Sequence, residues 1–114
     1  MSNCLFCGIV EGRIGANVVY RDDTVIAFKD INPKAPMHIL IIPCKHIATI
    51  LDLQESDAPV LGRIFRVAAK LADEHGIANS GFRVVVNCGQ DAGQTVFHLH
   101  YHLLGGRHLS WPPG

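Results

Sequence analysis

An α+β fold is predicted: a five-stranded antiparallel sheet carrying one long helix and a short N-terminal helix. Five short runs rich in β-branched and aromatic residues are spread along the chain, the composition a pleated, half-buried surface favours. Consecutive runs are mostly joined by links too short for a parallel crossover. One long segment, between Ser56 and Gly76, carries its apolar residues at helical spacing instead. Antiparallel strands with a single packed helix define the class.

The elements follow in order. Leu5 to Glu11 reads as a short helix with Leu5, Phe6, Ile9 and Val10 apolar, stopped by Gly12. Asn17 to Tyr20 and Val25 to Phe28 read as a hairpin turning at Arg21-Asp22-Asp23. Two prolines make residues 31–36 a loop. His38 to Ile42 is a strand whose continuous apolar run belongs at the sheet centre, and Pro43 ends it. In the long helix Ser56 or Asp57 is placed to cap, Pro59 falls in the first turn, and Gly76 closes. Its stripe is Val60, Leu61, Ile64, Phe65, Val67, Ala68, Leu71 and Ala72. Phe82 to Cys88 and Phe97 to Leu104 are the last two strands.

A single domain over residues 1–114 is expected at this length. Ten basic residues balance ten acidic ones, which argues against nucleic acid as the main ligand, because a polyanion favours a basic surface. Zero formal charge with a mean hydropathy of +0.21 points to apolar surface buried against a second subunit. The aliphatic run Ile39 to Ile42 is far too short to span a bilayer. Met1-Ser2-Asn3-Cys4 lacks the basic-then-apolar layout of a signal peptide. A cytoplasmic protein without a membrane partner is expected.

Chemistry concentrates in His98-Leu99-His100-Tyr101-His102. At a strand's period of two, the three imidazoles share one face while Leu99, Tyr101 and Leu103 line the other. A row of histidines suits holding a metal, binding an anion or attacking an electrophile. An imidazole is a good nucleophile at neutral pH because its neutral form is populated without a separate base. Cys4 and Cys7 form a C-x-x-C pair, a metal half-site or a redox pair; with no strand before it the redox reading is the weaker. Cys44 and Cys88, beside strand-like runs, read as small buried hydrophobes. Gly93 would let the backbone approach an anion closely. Taken alone, Asp30 is a solvated loop residue, Asn87 a turn former and His38 a core histidine satisfied by hydrogen bonds.

The spacing His98-x-His100-x-His102 resembles the signature of the histidine triad (HIT) family. Phe28-Lys29-Asp30-Ile31-Asn32-Pro33 resembles that family's ribose loop, and Ala35 to Pro43 its central strand. Val86-Asn87, Gly93-Gln94-Thr95-Val96 and Gly105-Gly106-Arg107 fall in family order. The ending Trp111-Pro112-Pro113-Gly114 is similar to that of the Hint branch, the nucleoside phosphoramidate hydrolases.

The resemblance implies a HIT-like fold and hydrolysis of a purine nucleoside 5′-phosphoramidate, an AMP or GMP conjugate, through a nucleotidyl-histidine. It makes His100 the nucleophile, with its other ring nitrogen on a backbone carbonyl. His102 would bond a phosphate oxygen and support proton transfer to the amine; His98 and His38 complete the catalytic set. Asp30 would bind the ribose, while Asn87, Gly93, Gln94 and Thr95 would bind around the phosphate. Thr95 stands where the branch usually has serine, keeping the hydroxyl but adding a methyl. Leu5, Phe6, Ile9, Phe28, Ile31 and Leu40 would form the slot for the base. Cys4, Cys7, His46 and His98 would bind a structural zinc, with no organic cofactor. A homodimer is implied too, with the long-helix stripe either in that interface or packed wholly on its own sheet. Two other functions fit the same residues: a diadenosine polyphosphate hydrolase, or a nucleotide-binding interaction module with incidental hydrolysis.

Overall fold

The computed structural model describes residues 3–114. Its elements are α1 (Leu5–Val10), β1 (Val18–Arg21), β2 (Val25–Lys29), β3 (Met37–Pro43), α2 (Ala58–Glu74), β4 (Phe82–Val86) and β5 (Tyr101–Gly105), with two short 3-10 turns before α2. The five strands make one sheet in the order β1-β2-β3-β5-β4, each neighbouring pair antiparallel. The predicted class and element count are the observed ones.

β3 is the middle strand, as its unbroken apolar run requires, because both faces of the sheet are covered. Ile39 and Ile41 face α2 together with Val25, Ala27, Leu99, Tyr101 and Leu103. Leu40 and Ile42 face α1 with Ile26 and Phe28, against Phe6 and Ile9. The α2 stripe lies on the chain's own sheet: Ile64, Val67, Ala68, Leu71 and Ala72 are buried and Val60 and Leu61 partly so. Phe65 is 52% exposed, its ring edge on Tyr101 at 5.6 Å.

Three expectations need correction. The last strand pairs only from Tyr101, not from Phe97. Extending the β3–β5 register would set Leu99 opposite Pro43, which has no N–H to give. The Pro43 carbonyl accepts from the His98 ring at 2.8 Å, and the Leu99 N–H turns to Ile47 O at 2.6 Å. Alternation nevertheless persists through the unpaired stretch, with Leu99 in the α2 core and His98 and His100 buried on the other side. Asp57 precedes α2 but makes no side-chain cap. Its buried carboxylate accepts from the Gln54 N–H at 2.9 Å and from Lys45 Nζ at 2.8 Å, which holds its pKa down. Cys44 and Cys88 are half-buried rather than core residues, since each lies just past a strand end.

The β1–β2 turn is tied to α2 by Asp22. Burial opposes its carboxylate, but bonds from Tyr20, from the Thr24 and Val25 N–H groups and from Arg63 outweigh that and hold its pKa low. The α2 C-terminus ends as foreseen, with Gly76 at φ 74° following His75.

Leu103 is fully buried at the centre of the larger core, whereas Leu51 is 86% exposed. Leu103→Ala should cost about 2–5 kcal/mol in urea denaturation, and Leu51→Ala about 0.5 kcal/mol or less. Similar losses for the two would contradict this core assignment.

Candidate active site and metal centre

The β3–β5–β4 register sets Leu40 and Val85 opposite His102, so all three project from one sheet face. His38, two residues before Leu40, is the diagonal neighbour of His102 on that face. Hydrogen bonds then fix the proton on each imidazole, because a carbonyl can only accept and an amide N–H can only donate.

For His100, Nδ1 lies 2.7 Å from the carbonyl of His98. Nδ1 must carry a hydrogen, so in the neutral ring Nε2 presents a bare lone pair. This is the backbone-carbonyl bond expected for the nucleophile. For His98, Nε2–H donates to Pro43 O at 2.8 Å, which leaves Nδ1 bare. For His38, Nδ1 accepts from the Lys34 N–H at 3.0 Å, so its hydrogen sits on Nε2. That hydrogen points to His102 Nδ1 at 2.9 Å, and neutral His102 therefore carries its own on Nε2. Asp30 Oδ2 lies 3.4 Å from His38 Nε2.

Burial favours the neutral form of His98, His38 and His102. It pushes the His102 pKa down to about 4, with His100 and His38 acting the same way and Asp30 opposing. Burial likewise lowers His38, against a raising effect from Asp30. A bare Nε2 on one histidine thus stands beside an N–H donor on the next, with the His100 and His102 ring centroids 5.1 Å apart.

An apolar cleft of about 340 Å³ opens on these two rings. All six residues expected for a base slot, Leu5, Phe6, Ile9, Phe28, Ile31 and Leu40, line it, together with Asp30 and Thr95. Asn87 lies instead on an adjoining chamber that also touches His38 and His102. Gly93, at φ 86°, and Gln94 line neither space. The Gln94 side chain is buried and committed to the loop: Oε1 accepts from Gly89 N–H, and Nε2 donates to Ala48 O and Val96 O.

Sequence reasoning missed Ile14, Gly15 and Ala16, which also line the cleft. They follow α1 in a loop without periodicity, and what seats them is Gly8: a Cβ there would lie 2.5 Å from Ile14 Cδ1. The Lys34 N–H and Pro43 carbonyl were also invisible, since a main-chain group leaves no mark on residue type.

Cys4, Cys7, His46 and His98 converge at the base of α1, with four ligand atoms all within 4.8 Å of one another. His46 Nδ1 and His98 Nδ1 are 3.3 Å apart; Cys7 Sγ is 3.2 Å from His46 Nδ1 and 3.5 Å from His98 Nδ1; Cys4 Sγ is 3.4 Å from His98 Nδ1. Tetrahedral zinc at ordinary bond lengths would hold two nitrogens about 3.3 Å apart and a nitrogen and a sulfur about 3.5 Å apart. The donors therefore fit such an ion, and the fit uses all four positions, so no ligand site stays open. The bare Nδ1 of His98 is the nitrogen this requires.

Asp30, His38 and His102 also lie within ligand distance of one another. There the protons argue against a metal: with the Lys34 N–H on Nδ1, His38 can offer Nε2 only as an imidazolate.

Phe6 joins the two regions. Its ring meets His100 edge-on at 5.2 Å, His98 at 6.0 Å and Phe28 at 5.4 Å.

Comparison with known proteins matches residues 11–109 to the HIT domain. The chain is 48% identical over 105 residues to the purine nucleoside phosphoramidase of Escherichia coli, covering 92% of this chain and 88% of that protein. It is 46% identical over 110 residues to an uncharacterized HIT-like protein of Synechocystis, covering 96% of each. A HIT family hydrolase from Legionella pneumophila superposes with a TM-score of 0.97 at 52% identity, covering 98% of this chain and 100% of that one. A HIT family hydrolase from Clostridium thermocellum superposes at 0.93 with 51% identity, covering 96% of each. With its triad, its sheet order and this likeness along nearly its whole length, the chain belongs to the HIT domain family.

Proposed function

We propose that the protein hydrolyses purine nucleoside 5′-phosphoramidates to the nucleoside monophosphate and an amine. The observation that carries this reading is His100 on the lining of an apolar cleft, with Nδ1–H held by the His98 carbonyl so that in the neutral ring Nε2 is bare. The E. coli relative named a purine nucleoside phosphoramidase supports the choice of bond.

The base packs among Phe6, Phe28 and Leu40, and Asp30 at the cleft mouth accepts from the ribose hydroxyls. His100 Nε2 attacks phosphorus and the P–N bond breaks; the departing nitrogen takes a proton from solvent. The imidazolium so formed keeps its Nδ1–H on the His98 carbonyl, which a positive ring strengthens. His102 Nε2–H donates to a phosphoryl oxygen, supplying a fixed dipole where charge develops. Water then displaces His100 from phosphorus, loses a proton and leaves the monophosphate. Splitting the displacement in two lowers each barrier.

Zinc at the cysteine–histidine cluster is structural in this reading, its chemistry confined to tying α1 to the sheet. Cys4, Cys7, His46 and His98 hold it, while His100 stays available for attack.

Wild type should release AMP from adenosine 5′-phosphoramidate, with kcat lower by about 10³-fold or more in His100→Ala. Preferential turnover of diadenosine polyphosphate would move the protein to that reaction class, and AMP bound without turnover would make it a binding module. Elemental analysis of the purified protein should find about one zinc per chain, lost in the Cys4→Ser, Cys7→Ser double variant. That variant should raise KM more than it lowers kcat, because α1 carries cleft walls. An unchanged zinc content would refute the ligand assignment.

His102 also makes stability pH-dependent. Its folded pKa of about 4 lies below the ordinary value, which is about 6.5 in an unfolded chain. Between these values the unfolded chain takes up a proton that the folded one refuses, so stability is complete above the upper value and falls towards the lower. The urea midpoint should be lower at pH 5 than at pH 7.5, and His102→Gln should shrink that difference. An equal difference in the variant would show that other groups cause it.

A further inference from the structure

A second chamber, of about 570 Å³, shares Asp30 and His102 with the apolar cleft. Its chemistry is different. Lys34, Arg83 and Arg107 bring three cationic side chains to its wall, and Asn32 and Asn87 two amides. Asp30 is the one carboxylate side chain on that lining; it accepts from the Asn32 N–H at 2.8 Å and offsets one of the three cations, leaving the side-chain balance positive.

The two guanidinium groups are held in place by main-chain oxygens. Arg83 Nη2 donates to Leu109 O at 3.2 Å and Ser110 O at 3.0 Å, and its guanidinium carbon lies 5.9 Å from the centre of the Trp111 ring. Arg107 donates to Lys34 O through Nε and Nη2 and to His108 O through Nη1. A neutral carbonyl orients a guanidinium without cancelling its charge. The chamber therefore offers positive charge at preset positions, and a ligand need not order these side chains itself.

Cleft and chamber meet at His102, beside the His100 nitrogen. On the phosphoramidate reading, on which this inference rests, the nucleoside occupies the apolar cleft. The bond that breaks joins phosphorus to whatever extends the other way. We propose that the cationic chamber receives the leaving amine and selects amines carrying an anionic substituent, a carboxylate or a phosphate. An uncharged amine of the same size would meet Lys34, Arg83 and Arg107 without supplying a counter-charge. The reaction balances as before: the P–N bond breaks, the amine leaves with a proton from solvent, and water provides the new P–O bond.

The test compares adenosine 5′-phosphoramidates whose nitrogen belongs to glycine, glycinamide, O-phosphoethanolamine or ethanolamine, with the unsubstituted phosphoramidate alongside. The quantity read is the ratio of kcat/KM for a charged amine to that for its neutral counterpart. Because both are measured on one enzyme preparation, loss of folded protein cancels from the ratio. Wild type should favour the anionic member by about ten-fold, the scale of a few partly screened charges. Arg83→Gln should lower the ratio towards unity. Lys34→Glu, a change at an exposed side chain whose main-chain bonds remain, should lower it further or invert it. A larger ratio for the glycine pair identifies carboxylate as the preferred group, and a larger one for the phosphoethanolamine pair identifies phosphate. A wild-type ratio near one, or ratios unmoved in both variants, would overturn the proposal. Failure to hydrolyse even the unsubstituted phosphoramidate would overturn the catalytic reading first, and this inference with it.

Discussion

The bond from His98 Nε2–H to the Pro43 carbonyl is the contact on which the rest of the site depends. It occupies the carbonyl that would otherwise continue the β3–β5 ladder, so the chain parts from the sheet just before Tyr101. It fixes the His98 hydrogen on Nε2 and leaves Nδ1 bare towards Cys4, Cys7 and His46. It also holds the main chain of His98 so that its own carbonyl meets the His100 ring at 2.7 Å. One imidazole thereby ends a strand, offers a nitrogen to the cysteine–histidine cluster and sets the tautomer of the neighbouring His100 ring. A fully buried histidine with both ring nitrogens engaged has little freedom to do otherwise.

Burial of His38 and His98 and partial burial of His102 favour the neutral ring at each. Burial in a medium of low polarity disfavours the imidazolium, and His100 and His38 add repulsion at His102 as Lys34 does at His38. The consequence at His102 and His38 is a pair that stays neutral where free histidine would begin to protonate, linked by a single hydrogen bond of 2.9 Å. Neutrality keeps His102 a donor of one fixed N–H rather than a mobile acid. The direction of this donor is set by the Lys34 N–H, which at the other end of the chain of bonds forces the hydrogen on His38 to Nε2.

Much of this was legible in residue types. The alternation of residues 98–103 separates core from site even where no ladder exists, because it follows from extended backbone and not from pairing. The apolar run of β3 announces a strand covered on both faces, and Leu5, Phe6 and Ile9 announce a helix with something to bury against. Hidden from the sequence were the contributions of main chain and of missing atoms. The strand end at Tyr101 depends on which partner faces Pro43, a question of register. Asp57 looks like a helix cap but is drawn away by Lys45, which lies far from it along the chain. Gln94 stands beside a glycine in a phosphate-loop pattern, yet its amide binds two main-chain groups of its own loop and the Ala48 carbonyl of the segment after β3. Ile14 reaches the cleft because Gly8 lacks a side chain.

Phe6 makes the metal centre and the cleft a single unit. It sits between Cys4 and Cys7, so any ion held by those two thiolates fixes the turn of helix that carries it. Its ring meets His98, His100 and Phe28 in one edge-on cluster. A six-residue helix is too short to persist through its own hydrogen bonds, so its position must come from packing and from ligation. Loosening α1 would disturb the apolar cleft and the packing on the His100 ring together, because Phe6 belongs to both.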